Sequence, residues 1–589
     1  MLSVHTLPEL QTFMPNLRLT FRSRDVLRLR GLLLMSNFVW LVGAGSLLAD
    51  DEPEETPPPP VPFAVVNAAS VDRLMEDAEY VAEASGRPDL MDWLAEGLSY
   101  ISDLDGVDFT RPFGALFYLD SGLPPIPFPV MYVPVEDERR LLDTMSIRGT
   151  QWKKSGTSDF RYEMVDPPHM KLRFADGYAF LVRRGEWILD EDLPDPVAFN
   201  EQLTNRYDIA ASLRIGAIPE GIRQVFLGFL RSSTQTELQQ RDEEPDAAYR
   251  IRKANGVSIL EFLEQLLTQG DEIRIGWDAS REKRTGVLEI MLNAQPDSDY
   301  AERLQNLAGS PTMFHALASD QQPLTLIGSW KLDKREQTAM QEYVLAARET
   351  IEQQFAEQEQ PTDSLAGMAD SLTATIENGQ MDVCLQFVAP EPEKFVIRGG
   401  VKLTGARMFG TSLGQFLTQL QSHPDVGRID VNYAEHQGVT IHRVSDKDGE
   451  TDEGENRMFG GNPSLLVGTG TRAIWFAIGT DIALPSLRQA IDLVQQSASQ
   501  PPPATANAAP IQLISRVNGW LQIPPPDRDD RGPRPFRLMA EEAFAGEDDA
   551  LRIDVRPTET GVRARIQLDE GFLRLLGMAI GRQYDRSQL

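Results

Sequence analysis

The stretch at residues 271–304 reads as a β-strand, a turn, a second strand and the start of a helix. Its first strand alternates apolar and polar residues between Ile273 and Trp277, which is typical of a half-buried strand. The same order of elements recurs at residues 381–420 and 550–580. A chain that repeats strand, turn, strand and helix favours an α+β fold built on mostly antiparallel sheets.

The elements around these stretches follow the order long unit, short unit, long unit, short unit. Because 589 residues exceed what a single hydrophobic core usually organises, we predict several modules. The order favours an internal duplication of strand–helix–hairpin modules, with helices packed on one face of each sheet. The predicted modules are residues 63–205 (long), 208–310 (short), 323–495 (long) and 511–589 (short), with a Pro- and Ala-rich linker at 496–510.

Residues 1–49 have the pattern of a secretory signal peptide. Five arginines lie between positions 18 and 30, an apolar run covers residues 31–43, and small residues follow. The alternative is an uncleaved membrane anchor, since the apolar run can be extended to Leu48. Residues 50–62 are acidic and then proline-rich, which predicts an extended spacer before the folded part.

The charge balance limits the classes of partner. The chain has 57 basic and 88 acidic residues, a net charge of −31, which disfavours nucleic acid. Cys384 is the single cysteine, so no disulfide forms within the chain, and its apolar neighbours indicate a core residue. Export without disulfides indicates a periplasmic, cell-envelope or extracellular location in bacteria. The spacing of the histidines predicts no zinc site, and no cofactor is expected.

One short motif has a catalytic pattern. Residues 410–414 fit G-x-S-x-G, and Ser412 has His442 and Asp430 downstream as partners for a triad. His442 and Asp430 are expected on the polar face of one hairpin, where they could meet across the strands. The alternative, which we favour, is that Ser412 caps the N-terminus of the helix that follows.

Residues 446–455 form an acidic loop. Its carboxylates could bind calcium, but the EF-hand pattern fails because Thr451 stands where that loop needs glycine. A solvated loop is therefore the favoured interpretation. The residues of the calcium hypothesis are Asp446, Asp448, Glu450 and Asp452.

The whole chain resembles large exported proteins of planctomycete-type bacteria. The features that carry the resemblance are the arginine-rich lead before GLLLMSNFVWLVG, the acidic proline-rich spacer and strand–helix segments such as LTLIGSWKLDKREQTAM. That group has no catalytic residues to transfer. The resemblance implies export and modular construction only.

Together these patterns predict an exported, non-catalytic protein with a binding or envelope-associated structural role. Its expected partner is an envelope or extracellular protein or ligand that the sequence does not identify. Contact with a membrane is expected only through the N-terminal segment, if that segment is not cleaved. The alternatives are a serine hydrolase that uses Ser412 and a membrane-anchored assembly factor.

Overall fold

The computed structural model describes thirteen parts of the chain. These are residues 60–91, 105–120, 125–147, 151–155, 161–165, 169–242, 244–307, 312–356, 362–421, 427–445, 453–498, 509–524 and 535–587.

Strands β1 to β10 and helices α1 to α6 belong to the first half of the chain. The strands are β1 (Ala64–Ala68), β2 (Phe113–Leu119), β3 (Pro127–Pro134), β4 (Trp152–Lys154), β5 (Arg161–Met164), β6 (Lys171–Ala175), β7 (Tyr178–Val182), β8 (Ile209–Arg214), β9 (Gly270–Ser280) and β10 (Thr285–Ala294). The helices are α1 (Val71–Ala84), α2 (Glu138–Ile147), α3 (Pro196–Thr204), α4 (Glu220–Glu237), α5 (Asp246–Gln269) and α6 (Asp299–Gln305).

Strands β11 to β20 and helices α7 to α14 follow in the second half. The strands are β11 (Leu324–Lys331), β12 (Gln380–Glu391), β13 (Lys394–Lys402), β14 (Arg428–His436), β15 (Val439–Ser445), β16 (Ser464–Thr469), β17 (Ala473–Gly479), β18 (Ile511–Arg516), β19 (Ala550–Pro557) and β20 (Gly561–Asp569). The helices are α7 (Lys334–Ala356), α8 (Asp363–Glu377), α9 (Ala406–Leu420), α10 (Glu453–Phe459), α11 (Ala483–Ala498), α12 (Val517–Leu521), α13 (Pro535–Ala543) and α14 (Glu570–Ser587).

Local sequence signals account for several element boundaries. The Ser70 hydroxyl accepts a hydrogen bond of 3.1 Å from the Arg73 N–H and so caps α1. Asp176 and Gly177 both have positive φ, 51° and 72°, and form the turn between β6 and β7. Two consecutive positive φ values match the twist of the flanking strands, which is why Asp-Gly favours a hairpin.

All the described strands pair antiparallel in one sheet of 20 strands. The order of pairing is β4-β5-β6-β7-β3-β2-β1-β8-β9-β10-β20-β19-β18-β11-β12-β13-β17-β16-β15-β14.

The expectation of several separate sheets is therefore wrong. Strand β1 pairs with β8, β11 with β18 and β10 with β20, so hydrogen-bonded ladders join the predicted modules. Separate sheets would leave these strands as edges with unpaired N–H and C=O groups. The division of the chain into modules at residues 205, 310 and 495 stays a prediction. The sheet itself is not divided, because its strands pair across these boundaries.

The two halves of the sheet have the same connectivity. Adding ten to each strand label converts the order β4-β5-β6-β7-β3-β2-β1-β8-β9-β10 into the order of the second half, read inward from β14. The halves meet at the β10–β20 pair. Residues 271–304 and 550–580 occupy equivalent places in this order. Residues 381–420 do not, because β12 and β13 correspond to β2 and β3.

Helices cover both faces of the sheet, so the prediction of helices on one face is wrong. Ala179 of β7 packs in a cluster with Leu141 of α2. Its neighbour Phe180 points to the other face and packs with Leu203 of α3. Successive side chains of a strand alternate between faces, so apolar residues at both positions require a helix on each side.

Candidate functional site

A cavity of about 790 Å³ lies between α9 and strands β14 to β16. One wall is the side of α9 that carries Arg407, Thr411 and Thr418, and the other contains His442 of β15. A Cβ atom at Gly410 would lie 2.8 Å from the Thr469 side chain, so glycine allows α9 to approach the sheet closely. The other lining residues are Gly414, Gln415, Gln419, Val431, Asn432, Gly438, Thr440, Gly470 and Thr471.

His442 supplies an unused hydrogen-bond donor at this cavity. The side chain is 2% exposed, and its Nδ1 accepts a hydrogen bond of 3.2 Å from the Asn432 N–H. A neutral imidazole carries one proton, so this bond places the proton on Nε2. Nε2 is buried and has no hydrogen-bond partner among the described residues. Burial lowers the pKa of His442, which keeps the ring neutral at pH 7.

Among the described residues, the lining of the cavity carries positive charge without negative charge. Arg407 is exposed and forms no ion pair with any described residue. None of the described residues that line the cavity is an aspartate or a glutamate. In a chain of net charge −31, this region is therefore unusual in its suitability for an anion.

Ser412 lies on the side of α9 that faces α8, and it is 8% exposed. Its hydroxyl occupies the space beside Gly367 of α8, where an added Cβ atom would collide with Oγ. The prediction that Ser412 caps a helix is wrong because α9 begins at Ala406. Gly405, with φ 76°, is the cap residue, and Ser412 is inside the helix.

The residues of the predicted triad do not come together. His442 forms no hydrogen bond with Ser412, since its Nδ1 pairs with Asn432 and its Nε2 has no described partner. Asp430 accepts a hydrogen bond of 2.8 Å from the Arg443 Nε and also pairs with Arg428.

The prediction that Asp430 and His442 share a face of the hairpin is wrong. Asp430 lies directly opposite Arg443, so it shares a face with Arg443 and points away from His442. A bulge between Asp430 and Ala434 then changes the register of β14. The alternation in the sequence gives no sign of this change, because a bulge adds a residue to one strand only.

The calcium hypothesis lies outside the described residues. Positions 446 to 452, which include Asp446, Asp448, Glu450 and Asp452, are not among them, so the hypothesis stays a prediction. Within the described part of the chain, no group of three or more His, Cys, Asp or Glu residues could hold a metal ion.

A second feature is a row of apolar residues that crosses the sheet on one face. Residues that are directly paired in neighbouring strands share a face, so the registers trace the row from strand to strand. In order, this apolar row contains Ile209, Trp277, Leu288, Ile566, Ile553, Leu513, Leu326, Leu385, Gly399, Phe476 and Val467. His442 is the residue opposite Val467, so the row ends at the cavity.

The side chains of the apolar row remain accessible. Apart from Gly399, which is buried and has no side chain, every residue of the row is at least partly exposed, and Ile209 is 45% exposed. The adjacent parallel row contains Val66 and Ile275, which are 45% and 44% exposed. That second row ends at Thr469 and Thr440, which also line the cavity.

Helices border the apolar row on both sides in the centre of the sheet. On one side of the row, the sheet packs against α5 and α6 through Leu292, Val555 and Val562. On the other side, Leu573 of α14 lies over Gly286. The apolar row is therefore the floor of a trough between helices, which we call the apolar trough.

The borders continue into the second half of the sheet. Met458 of α10 and Trp520 of α12 pack with Phe387 on one side. On the other side, α9 approaches Thr469 through Gly410. At about 4.8 Å between neighbouring strands, the apolar trough spans roughly 50 Å from β8 to β15.

The opposite face of the central strands is charged. Arg552 donates a hydrogen bond of 2.7 Å to Asp569, and the Arg565 guanidinium lies 3.5 Å from Glu289. The two faces therefore differ in kind, because on the face of the apolar trough the partly exposed apolar side chains form a continuous row across the central strands. Contiguous exposed apolar surface of this kind marks a binding site more often than a free surface.

Comparisons with protein families, with curated proteins and with solved structures gave no match. Among the described residues, no helix is both long enough and apolar enough to cross a bilayer. The predicted N-terminal apolar segment lies outside that part of the chain.

Proposed function

We propose that this protein is an exported, non-catalytic binding protein that holds lipid acyl chains on the apolar trough. The observation that carries the proposal is the apolar row, whose partly exposed side chains run from Ile209 to Val467 on one face of a continuous sheet. Each methylene group that moves from water into full apolar contact contributes about 0.8 kcal/mol. A chain of methylene groups along the row would gain contact at every strand that it crosses.

The shape of the site favours a chain-like ligand over a flat protein surface. The row is recessed between α5 and α6 on one side and α14 on the other. A flat partner would touch these helices first, whereas a single acyl chain fits between them. The backbone groups of the floor are already paired within the sheet, so the floor offers side-chain contact and not a strand edge.

Other parts of the prediction remain proposals. The matching connectivity of the two halves supports an internal duplication of a long and a short unit. Export, by a cleaved signal in residues 1–49, and the resemblance to planctomycete-type exported proteins agree with a lipid-binding role in the cell envelope. The position of Ser412 between α8 and α9 gives no support to the hydrolase alternative.

The proposal can be tested with an uncharged fluorescent ester of a long-chain fatty acid. Leu326→Gln places an amide on the floor of the trough, and we expect it to weaken binding of the ester about 5- to 10-fold, or roughly 1–1.4 kcal/mol. The matched control is Lys331→Gln, in the same strand on the opposite face. Fluorescence titration of the full chain measures both.

We expect the control to bind the ester like the wild type. Equal loss of affinity in the two variants would contradict a site on one face of the sheet. The proposal would be overturned if the wild type did not bind the ester but formed a dimer, and if Leu326→Gln dissociated that dimer. The same face would then belong to an interface with a second copy of the chain.

A further inference from the structure

We propose that the cavity beside α9 receives the anionic head group, a carboxylate or a phosphate, of the ligand whose acyl chain lies on the apolar trough. This inference rests on the proposed function and extends it to an amphipathic ligand. It assigns the polar end of that ligand to Arg407 and to the Nε2–H of His442.

The cavity is continuous with the trough through the register of the sheet. Val467, the last apolar residue of the row, pairs directly with His442. In the adjacent row, Ile474 pairs with Thr469, which pairs with Thr440. The same face thus changes from apolar to polar side chains within one strand spacing, as the two ends of an amphipathic molecule require.

The donors that remain free in the cavity suit an anion. The Thr411 hydroxyl donates to the Arg407 carbonyl at 3.1 Å, and the Thr418 hydroxyl donates to the Gly414 carbonyl at 2.7 Å. These two hydroxyls therefore use their protons within α9. The Arg407 side chain and the buried Nε2–H of His442 have no hydrogen-bond partner among the described residues. Both groups donate and neither accepts, which matches carboxylate and phosphate oxygens.

The lining disfavours other classes of polar ligand. A cation would need carboxylates, and none of the described lining residues has one. Flat uncharged ligands commonly stack on aromatic rings, and no described lining residue is aromatic apart from the buried imidazole of His442. The cavity of about 790 Å³ is large enough for a head group.

The test compares a fluorescent long-chain fatty acid with its methyl ester at pH 8, where the acid is ionised. We expect the wild type to bind the acid about tenfold more tightly than the ester, the value of one charge-assisted hydrogen bond. Arg407→Gln should reduce this preference to about twofold and leave the affinity for the ester unchanged. Inorganic phosphate at millimolar concentration should compete with the acid and not with the ester.

Two control variants separate the head-group site from general effects. Arg563→Gln makes the same change of charge on the opposite face of the sheet, and Ser412→Ala changes α9 on the side away from the cavity. Both should keep the tenfold preference. His442→Gln, which keeps an N–H donor, should retain more of the preference than His442→Leu.

The outcomes distinguish this inference from the proposed function. If the wild type binds acid and ester equally, the head-group assignment fails while the acyl site stands. If neither molecule binds, the proposed function fails. If phosphate binds without displacing the acid, the cavity holds a free anion and the assignment is overturned.

Discussion

His442 depends on an unusual neighbour for its orientation. The backbone N–H that holds its Nδ1 belongs to Asn432, which has φ 55° beside the bulge in β14. Asparagine tolerates this left-handed conformation better than most residues. The bulge in β14 and the backbone angle of Asn432 therefore set the position of the N–H that orients the His442 ring. In this orientation the Nε2–H lies at the end of the trough.

Asp77 of α1 is the second residue whose surroundings decide its chemistry. It shares a hydrogen bond with Asp208, which pairs with Arg73. Burial, followed by the charge of Asp208, raises the pKa of Asp77 to about 8. An aspartate in an unfolded chain titrates near pH 4. Between about pH 4 and 8 the folded protein therefore binds more protons, and the free energy of unfolding falls as the pH rises.

We expect Asp77→Asn to remove this dependence. The amide can donate the same hydrogen bond without titrating, so the variant should be more stable than the wild type at pH 8 to 9. The gain should be on the order of 1–2 kcal/mol, after screening by solvent, and should vanish near pH 4. Melting temperatures between pH 4 and 9 measure it. Glu76→Gln, exposed on the same helix, is the control, and an unchanged pH slope in Asp77→Asn would contradict the assignment.

The sequence identified some residues of the candidate site, but it did not show which of them contact one another. The G-x-S-x-G pattern drew attention to α9 and to His442, both of which border the cavity. It could not show that Ser412 faces α8, because that depends on where the helix starts and on Gly367 of another helix. Arg407 had no signal of its own, since an exposed arginine without a motif is common.

Among the elements, the pairing of β10 with β20 joins the two halves of the sheet. Glu289 of β10 is 2% exposed, and its carboxylate accepts a hydrogen bond of 2.8 Å from the Tyr207 hydroxyl. Arg206 lies 2.6 Å from the same carboxylate, and Arg565 of β20 lies 3.5 Å from it. This buried carboxylate thus links residues of both halves.

We expect Glu289→Ala to weaken the junction between the halves. The change leaves two arginines and a tyrosine hydroxyl without their partner, which should cost about 2–4 kcal/mol of stability. Hydrogen exchange followed by mass spectrometry should show faster exchange in both β10 and β20. Glu282→Ala, in the exposed turn before β10, should leave both strands protected. Faster exchange in β10 alone would show that the carboxylate does not hold the two strands together.

Individual hairpins could be predicted from the sequence, and their assembly could not. Asp176-Gly177 and the alternation from Ile273 to Trp277 identify strands because they depend on neighbouring residues. The pairs β1–β8, β11–β18 and β10–β20 join distant segments, and an alternating pattern does not specify its partner. For the same reason, the apolar row was not foreseen, since it exists only in the combined registers of many ladders.

For the whole molecule, the sheet separates two surfaces of different character. One central face carries ion pairs, and the other carries the apolar trough, which leads to a cavity without described carboxylates. Exposed apolar residues on helices are an alternative place where an acyl chain could bind. Val225 and Phe229 of α4 are 60% and 54% exposed, and Ile259 of α5 is 59% exposed. Any test of the trough must therefore distinguish it from the α4–α5 pair.

Photochemical labelling makes that distinction most directly. A long-chain fatty acid with a diazirine near the end of its acyl chain is bound to the full chain, irradiated and located by mass spectrometry of peptides. Because the head group lies in the cavity and one acyl chain is much shorter than the row, we predict that the label lies on the part of the floor nearest the cavity, at residues such as Phe476, Leu385 and Leu326. Label concentrated on Val225, Phe229 and Ile259 would contradict the account, because the acyl chain would then bind the exposed helices and not the sheet.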